Sequence, residues 1–211
     1  MKRLFLTSSV SFVAEDIAKK LKQKGLKLLF ITTPAEGDHP NEPDPQWLQD
    51  DRNALIRAGF IVNDYTITNK PLSEIEEKLN KHEVIYITGG NTFYLLEKIQ
   101  QTGCAEAIRK VVENGKIYIG SSAGSVIAGP DIYPVLKFDS VEKAPNLKGY
   151  EGLGLVNFIL LPHWGSEDFR NLYLSQGLDL AYDSKNKFIL LRDGQYVQVE
   201  DDKYKIVDVV R

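Results

Sequence analysis

The chain has 211 residues, of which 43% are apolar and 26% charged, and its formal net charge is −3. That length suffices for one domain with a real core and is short for two, so a single domain over 1–211 is expected. Lysines and arginines are scattered rather than striped, which speaks against nucleic acid as a partner, and no run approaches the ~20 apolar residues of a membrane span.

The opening MKRLFLTSSVSFVAED is a faint copy of a signal peptide, but Thr7, Ser8, Ser9 and Ser11 interrupt its apolar run after three residues. We read 3–7 as a first strand, 8–11 as the loop after it, and the protein as cytoplasmic. A helix over 13–25 stops at Gly25, 27–32 is a strand, 33–46 is a polar loop rich in Pro and Asp, and 47–59 is a helix closed by Gly59. Strand 60–67, helix 71–82, strand 83–88, helical stretches 91–103 and 104–115, and strand 116–120 follow. The lone Cys104 leaves no internal disulfide and reads as a small buried apolar side chain.

Beyond Gly129 the pattern changes. Residues 130–154 carry Pro and Gly with weak periodicity, and the stretch is long for a structureless connection. A strand over 157–162 and a helix over 167–183 come next, and 187–194, 196–200 and 203–210 read as a closing antiparallel set. Strands that are near-continuous apolar runs, alternating with helices, predict an α/β fold with a mostly parallel sheet covered on both faces.

In such sheets ligands gather at the carboxyl ends of the strands. After the 116–120 strand comes Gly120-Ser121-Ser122-Ala123-Gly124, a G-x-S-x-G on a strand-to-helix turn. Small residues on either side let strand and helix approach closely while Ser122 projects from the bend. The plainer alternative is a polar turn with Ser as N-cap. A serine nucleophile needs a base, and three histidines are present. His39 in a polar loop and His82 at a helix end read as solvated, whereas His163 leaves a strand directly after Pro162 and suits a base. For the carboxylate that would orient it, Asp139 and Asp193 stand out, with Glu142, Glu167 and Asp168 weaker. Gly89 and Gly90 bend the chain after the fourth strand, Asn91 or Thr92 suits the cap of the helix that follows, and N–H groups at that helix start, with that of Ala123, suit an oxyanion.

GGNTFYLL, then YIGSSAGSVIAGP, then LPHW together resemble the peptidase E family, and the resemblance spans most of the chain. It implies a serine-type peptidase on a three-layer fold similar to the class I glutamine amidotransferases, without metal or cofactor. It further implies action on short peptides, best known as removal of N-terminal Asp from dipeptides. Ser122 matches the family nucleophile and His163 the base, while Gly90 and Ala123 match the backbone donors of the oxyanion hole. The departures are specific. Ser121 and Val126 stand where aspartyl-specific members usually carry a bulky aromatic and an Asn. KFDSVEKAP replaces the segment that supplies their acid, so Asp139 matches it at slightly longer spacing, and Asp193 matches a second acidic position. Arg170 follows the histidine more closely than the arginine that would recognise an aspartyl side chain.

The expected partner is therefore a short peptide, with no nucleic acid and no membrane, and with the chain a monomer or homodimer. Two other readings remain at this stage. One is an esterase of the α/β-hydrolase type, against which stands the lack of a His-Gly-Gly-type segment after an early strand. The other is a non-catalytic member of the fold that binds a small molecule or partner.

Overall fold

The computed structural model describes residues 1–39, 44–182 and 185–209. In chain order, β1 (Arg3–Thr7), α1 (Ala14–Leu21), β2 (Lys27–Ile31), α2 (Thr33–Asp38), α3 (Gln46–Arg57), β3 (Ile61–Tyr65), α4 (Leu72–Lys81) and β4 (Val84–Ile87) lead to the middle of the molecule. They are followed by α5 (Thr92–Thr102), α6 (Ala105–Glu113), β5 (Ile117–Ser121), α7 (Ala123–Val126), β6 (Ile159–Leu161), α8 (Glu167–Leu172), α9 (Asp179–Tyr182), β7 (Phe188–Leu190), β8 (Gln195–Glu200) and β9 (Lys203–Asp208).

Seven strands form one sheet in the order β3-β2-β4-β5-β1-β8-β9. The first five run parallel, and β8 and β9 close one side antiparallel. Successive strand residues point to opposite faces, and both faces are apolar. Leu4, Leu6, Ile85 and Ile87 join a core with α4, α5 and α6. Phe5, Val84 and Tyr86 join a second core with α1 and α3. This double burial explains why the strands are apolar runs rather than alternating ones. Each fully buried large side chain, Phe30 or Tyr118 for example, removes apolar surface worth roughly 1.5–3 kcal/mol from water.

Register puts the strand ends that matter side by side. Gly120 pairs with Leu6 on one flank and Ile87 on the other, and Ser121 pairs with Thr7. The chain leaves β1, β4 and β5 at one place.

Four expectations need correction. Residues 33–38 of the supposed polar loop are the helix α2, whose Pro34 sits in the first turn, where its missing N–H costs nothing; residues 40–43 of that loop lie outside the described residues. His82 is buried rather than solvated, its ring bonded to the Lys78 carbonyl and to Asn63. The 167–183 helix breaks into α8, a π-helical turn over Tyr173–Gly177 and α9. The 187–194 strand does not join the antiparallel set: β7 pairs parallel with β6, Leu161 opposite Leu190, in a sheet of its own. The weakly periodic 130–154 stretch contains 3-10 turns at Tyr133–Val135 and Val141–Lys143 and an Asp131–Glu151 bridge.

Candidate active site

At the carboxyl end of β5 the backbone turns through Ser122 at φ 47°, ψ −111°. An L-residue there is strained, by on the order of 1–3 kcal/mol, and holds only where its surroundings fix it. Its N–H reaches the Thr7 and Ser8 carbonyls at 3.1 Å. The flanking glycines are sterically required. A Cβ on Gly124 would lie 2.1 Å from the Ile87 carbonyl oxygen, and one on Gly120 2.5 Å from that of Gly124. Strand and helix therefore touch backbone to backbone, and the Ser122 side chain is aimed into a cleft of about 520 Å³.

His163 leaves β6 with φ 62°, also in the left-handed region. Its Nε2 lies 3.0 Å from Ser122 Oγ and its Nδ1 2.7 Å from Asp193 Oδ1. The β6–β7 pairing sets these two side by side, since each residue follows its strand by two or three positions. The ring stacks on Phe169 at 4.5 Å between centroids. Ser8, fully buried just past β1, ties the group together: its Oγ accepts the His163 N–H at 2.7 Å and donates to Asp193 Oδ1 at 2.6 Å. Burial pulls the Asp193 carboxyl upward, but the His163 and Ser8 hydrogen bonds outweigh it and hold the group below the usual carboxylate range.

Asp139, the other carboxylate singled out in the sequence, accepts the Thr92 N–H at 2.9 Å at the start of α5, and burial pushes it up to about 6. It lines the same cleft but meets no ring nitrogen of His163 in a hydrogen bond. Asn91 caps α5, accepting from the Tyr94 N–H, and its own N–H goes to the Pro34 carbonyl. Gly90 takes φ 121°, where a Cβ would strike the Pro34 carbonyl at 2.3 Å. Among the described residues the N–H groups of Gly90 and Ala123 have no backbone acceptor. Gly89 lies beside Ser122: a Cβ built on it would sit 3.4 Å from Ser122 Cβ. Arg170 is outside the cleft, 62% exposed and 3.7 Å from Glu167. Cys104 is buried, and burial raises its thiol, which leaves it inert.

The cleft lining includes residues that the sequence does not single out, among them Ser8, Trp47 and Asp51. Ser8 could have been found, since it follows β1 by the same strand-end rule that singles out Ser122 and His163. Half-buried His39, at the end of α2, also lines the cleft and receives the Trp47 indole N–H at 3.4 Å.

Residues 4–207 match the sequence profile of peptidase family S51. The chain belongs to that family. It is a serine peptidase by that membership, as the sequence resemblance implied. An uncharacterized peptidase of Pasteurella multocida is 37% identical over 172 residues, 80% of each chain. The "Probable alpha-aspartyl dipeptidase" of Drosophila melanogaster is 30% identical over 159 residues, 72% of this chain and 62% of the relative. The crystal structure of a Listeria monocytogenes protein assigned to peptidase E superposes with a TM-score of 0.89 at 30% identity, covering all of both chains. The mostly parallel sheet flanked by helices is thus the S51 architecture. Among the described residues no helix is long and apolar enough to cross a membrane, and no group of three or more His, Cys, Asp or Glu side chains could hold a metal ion.

Proposed function

We propose that this S51 peptidase is a dipeptidase-type serine hydrolase of short peptides, with Ser122 as nucleophile, His163 as general base and acid, and Asp193 as the carboxylate that orients the imidazole. The observation that carries the reading is the hydrogen-bonded line Ser122 Oγ–His163 Nε2 and His163 Nδ1–Asp193 Oδ1, with Ser122 on a strained turn.

In this reading Ser122 Oγ attacks the scissile carbonyl carbon as its proton passes to His163 Nε2. The carbonyl oxygen becomes an oxyanion held by the Gly90 and Ala123 N–H groups. Collapse breaks the C–N bond, and His163 returns the proton to the leaving amine. A water, deprotonated by the same nitrogen, then attacks the acyl-enzyme and releases the acid and Ser122. Asp193, kept ionised, stabilises the imidazolium formed in both steps. Asp139 serves the start of α5 instead.

The aspartyl preference in the Drosophila relative's name does not carry over readily. Arg170, the residue offered by resemblance for that role, lines a different depression with Trp164 and Tyr173. The test is a panel of dipeptides with varied N-terminal residues, Asp-Leu included, followed by mass spectrometry. Ser122→Ala should lose on the order of 10⁶ in turnover. Equal cleavage by wild type and Ser122→Ala would refute the assignment of the nucleophile.

A further inference from the structure

Helix α3 turns one face to the cleft. Trp47, Asp50 and Asp51 stand at i, i+3 and i+4, and all three line it. Trp47 borders the nucleophile: a methyl built on Gly89 would touch the Trp47 ring at 3.6 Å and Ser122 Cβ at 3.4 Å. Only the width of one residue separates the indole from the serine. Phe12, 56% exposed, lines the cleft as well, on a turn that packs against α3. This wall of the cleft thus presents aromatic surface beside Ser122 and carboxylates one helical turn along α3.

The carboxylates there have neutral partners. Asp51 is 5% exposed and accepts the Tyr86 hydroxyl at 2.7 Å and the Ser11 N–H at 3.2 Å. Asp50 is exposed and accepts the Gln46 amide at 2.8 Å. Neither has an ion-pair partner among the described residues. The far wall is acidic too, with Asp38, Asp139 and Asp168. Among the described residues no Lys or Arg lines the cleft, and 40–43 (PNEP) contain none. Lys143 is the cation that acts on Asp38 from outside the lining. His39, beside Trp47, and His163 are the groups in the cleft able to carry positive charge.

We infer that the cleft selects a peptide whose acyl-side residue is basic, Lys or Arg, with its methylene stem on Trp47 and Phe12 and its cationic head at Asp50 and Asp51. Long basic side chains combine an apolar stem with a charged tip, which is the order of surfaces this wall presents. An N-terminal aspartate would bring a further negative charge into a field whose lining, among the described residues, offers it histidines but no Lys or Arg. The inference rests on the peptidase reading for the location of the acyl side.

The two are separable by measuring binding and cleavage apart. Calorimetry on Ser122→Ala should give Lys-Leu a Kd at least about tenfold below that of Ala-Leu, with Asp-Leu weaker than both, and the gap should narrow as salt is raised. Adding Asp50→Asn, at an exposed position, should shrink the Lys-Leu to Asp-Leu ratio by about tenfold, and Asp50→Lys should invert it. In the active enzyme the same ratio should appear in kcat/KM. Cleavage with no charge preference, or with preference for Asp-Leu, overturns the inference and leaves the peptidase reading intact. Selective binding of Lys-Leu that wild type never cleaves upholds the cleft's preference for a basic side chain but overturns the peptidase reading, and with it the placing of that side chain on the acyl side. Equal binding of all three peptides overturns the inference whatever is cleaved.

Discussion

The turn after β5 and the turn after β6 each deliver one side chain at positive φ, Ser122 at 47° and His163 at 62°, yet they are held in different ways. The first is fixed locally: Gly120, Gly124 and the neighbouring strand leave the backbone no other path. The second is fixed at a distance. Its partner Asp193 comes from β7, its N–H goes to Ser8 from β1, and its ring rests on Phe169 from α8. A nucleophile set by its own neighbours tolerates change far away, whereas a base set by three remote segments depends on all of them.

The difference can be broken most sharply at Asp193. Asp193→Asn should cost on the order of 10⁴ in kcat through loss of the imidazole's orientation, while Asp139→Asn, at a helix start, should cost less than about tenfold; comparable losses would make Asp139 part of the proton machinery. Gly124→Ala attacks the local turn instead. Its methyl would meet the Ile87 carbonyl at 2.1 Å, and the strain should lower unfolding free energy by about 3 kcal/mol in a urea titration; an unchanged midpoint would mean that the turn is softer than its contacts.

The two carboxylates should also answer pH oppositely. Asp139 is raised in the folded protein to about 6, so its contribution to stability is full below the unfolded carboxylate range and is lost as pH rises through 6, on the order of 3 kcal/mol. Asp193 is lowered, so its contribution is present above the unfolded range and is lost only as pH falls below it. Urea midpoints across pH 4–7 should decline less in Asp139→Asn than in wild type. A parallel decline in both would assign the effect elsewhere.

Ser8→Ala should cost only about tenfold in kcat/KM, carried mainly by kcat, because the His163–Asp193 contact survives without its hydroxyl brace. Restoration by Ser8→Thr, together with a shifted acid limb of the pH–rate profile in Ser8→Ala, would identify Ser8 as a positioning residue; loss of folding in both variants would reduce it to a structural one.

The same contrast explains what could be read from sequence. Ser122 was legible because glycine spacing around a strand end is a local signal. His163 was legible as a strand-end residue after a proline. The sequence leaves the choice between Asp139 and Asp193 open, because it depends on β6 and β7 pairing parallel across 26 intervening residues, whereas 187–194 reads as part of the antiparallel set. Apolar content alone does not say which neighbour a three-residue strand will choose. The helix α2 was missed because Pro, Gly and Asp dominate its composition, and a first-turn proline is as natural in a helix as in a loop.

The β6–β7 pair has one hydrogen-bonded seam of three residues per strand, whereas Ser122 stands on a sheet of seven. Two-stranded sheets owe their persistence to what they pack on. On heating, then, the histidine and its acid should drift from the serine before the larger sheet gives way. The upper temperature of the working enzyme is set by its smaller sheet, and catalysis should fade while the circular-dichroism signal of the fold is still intact.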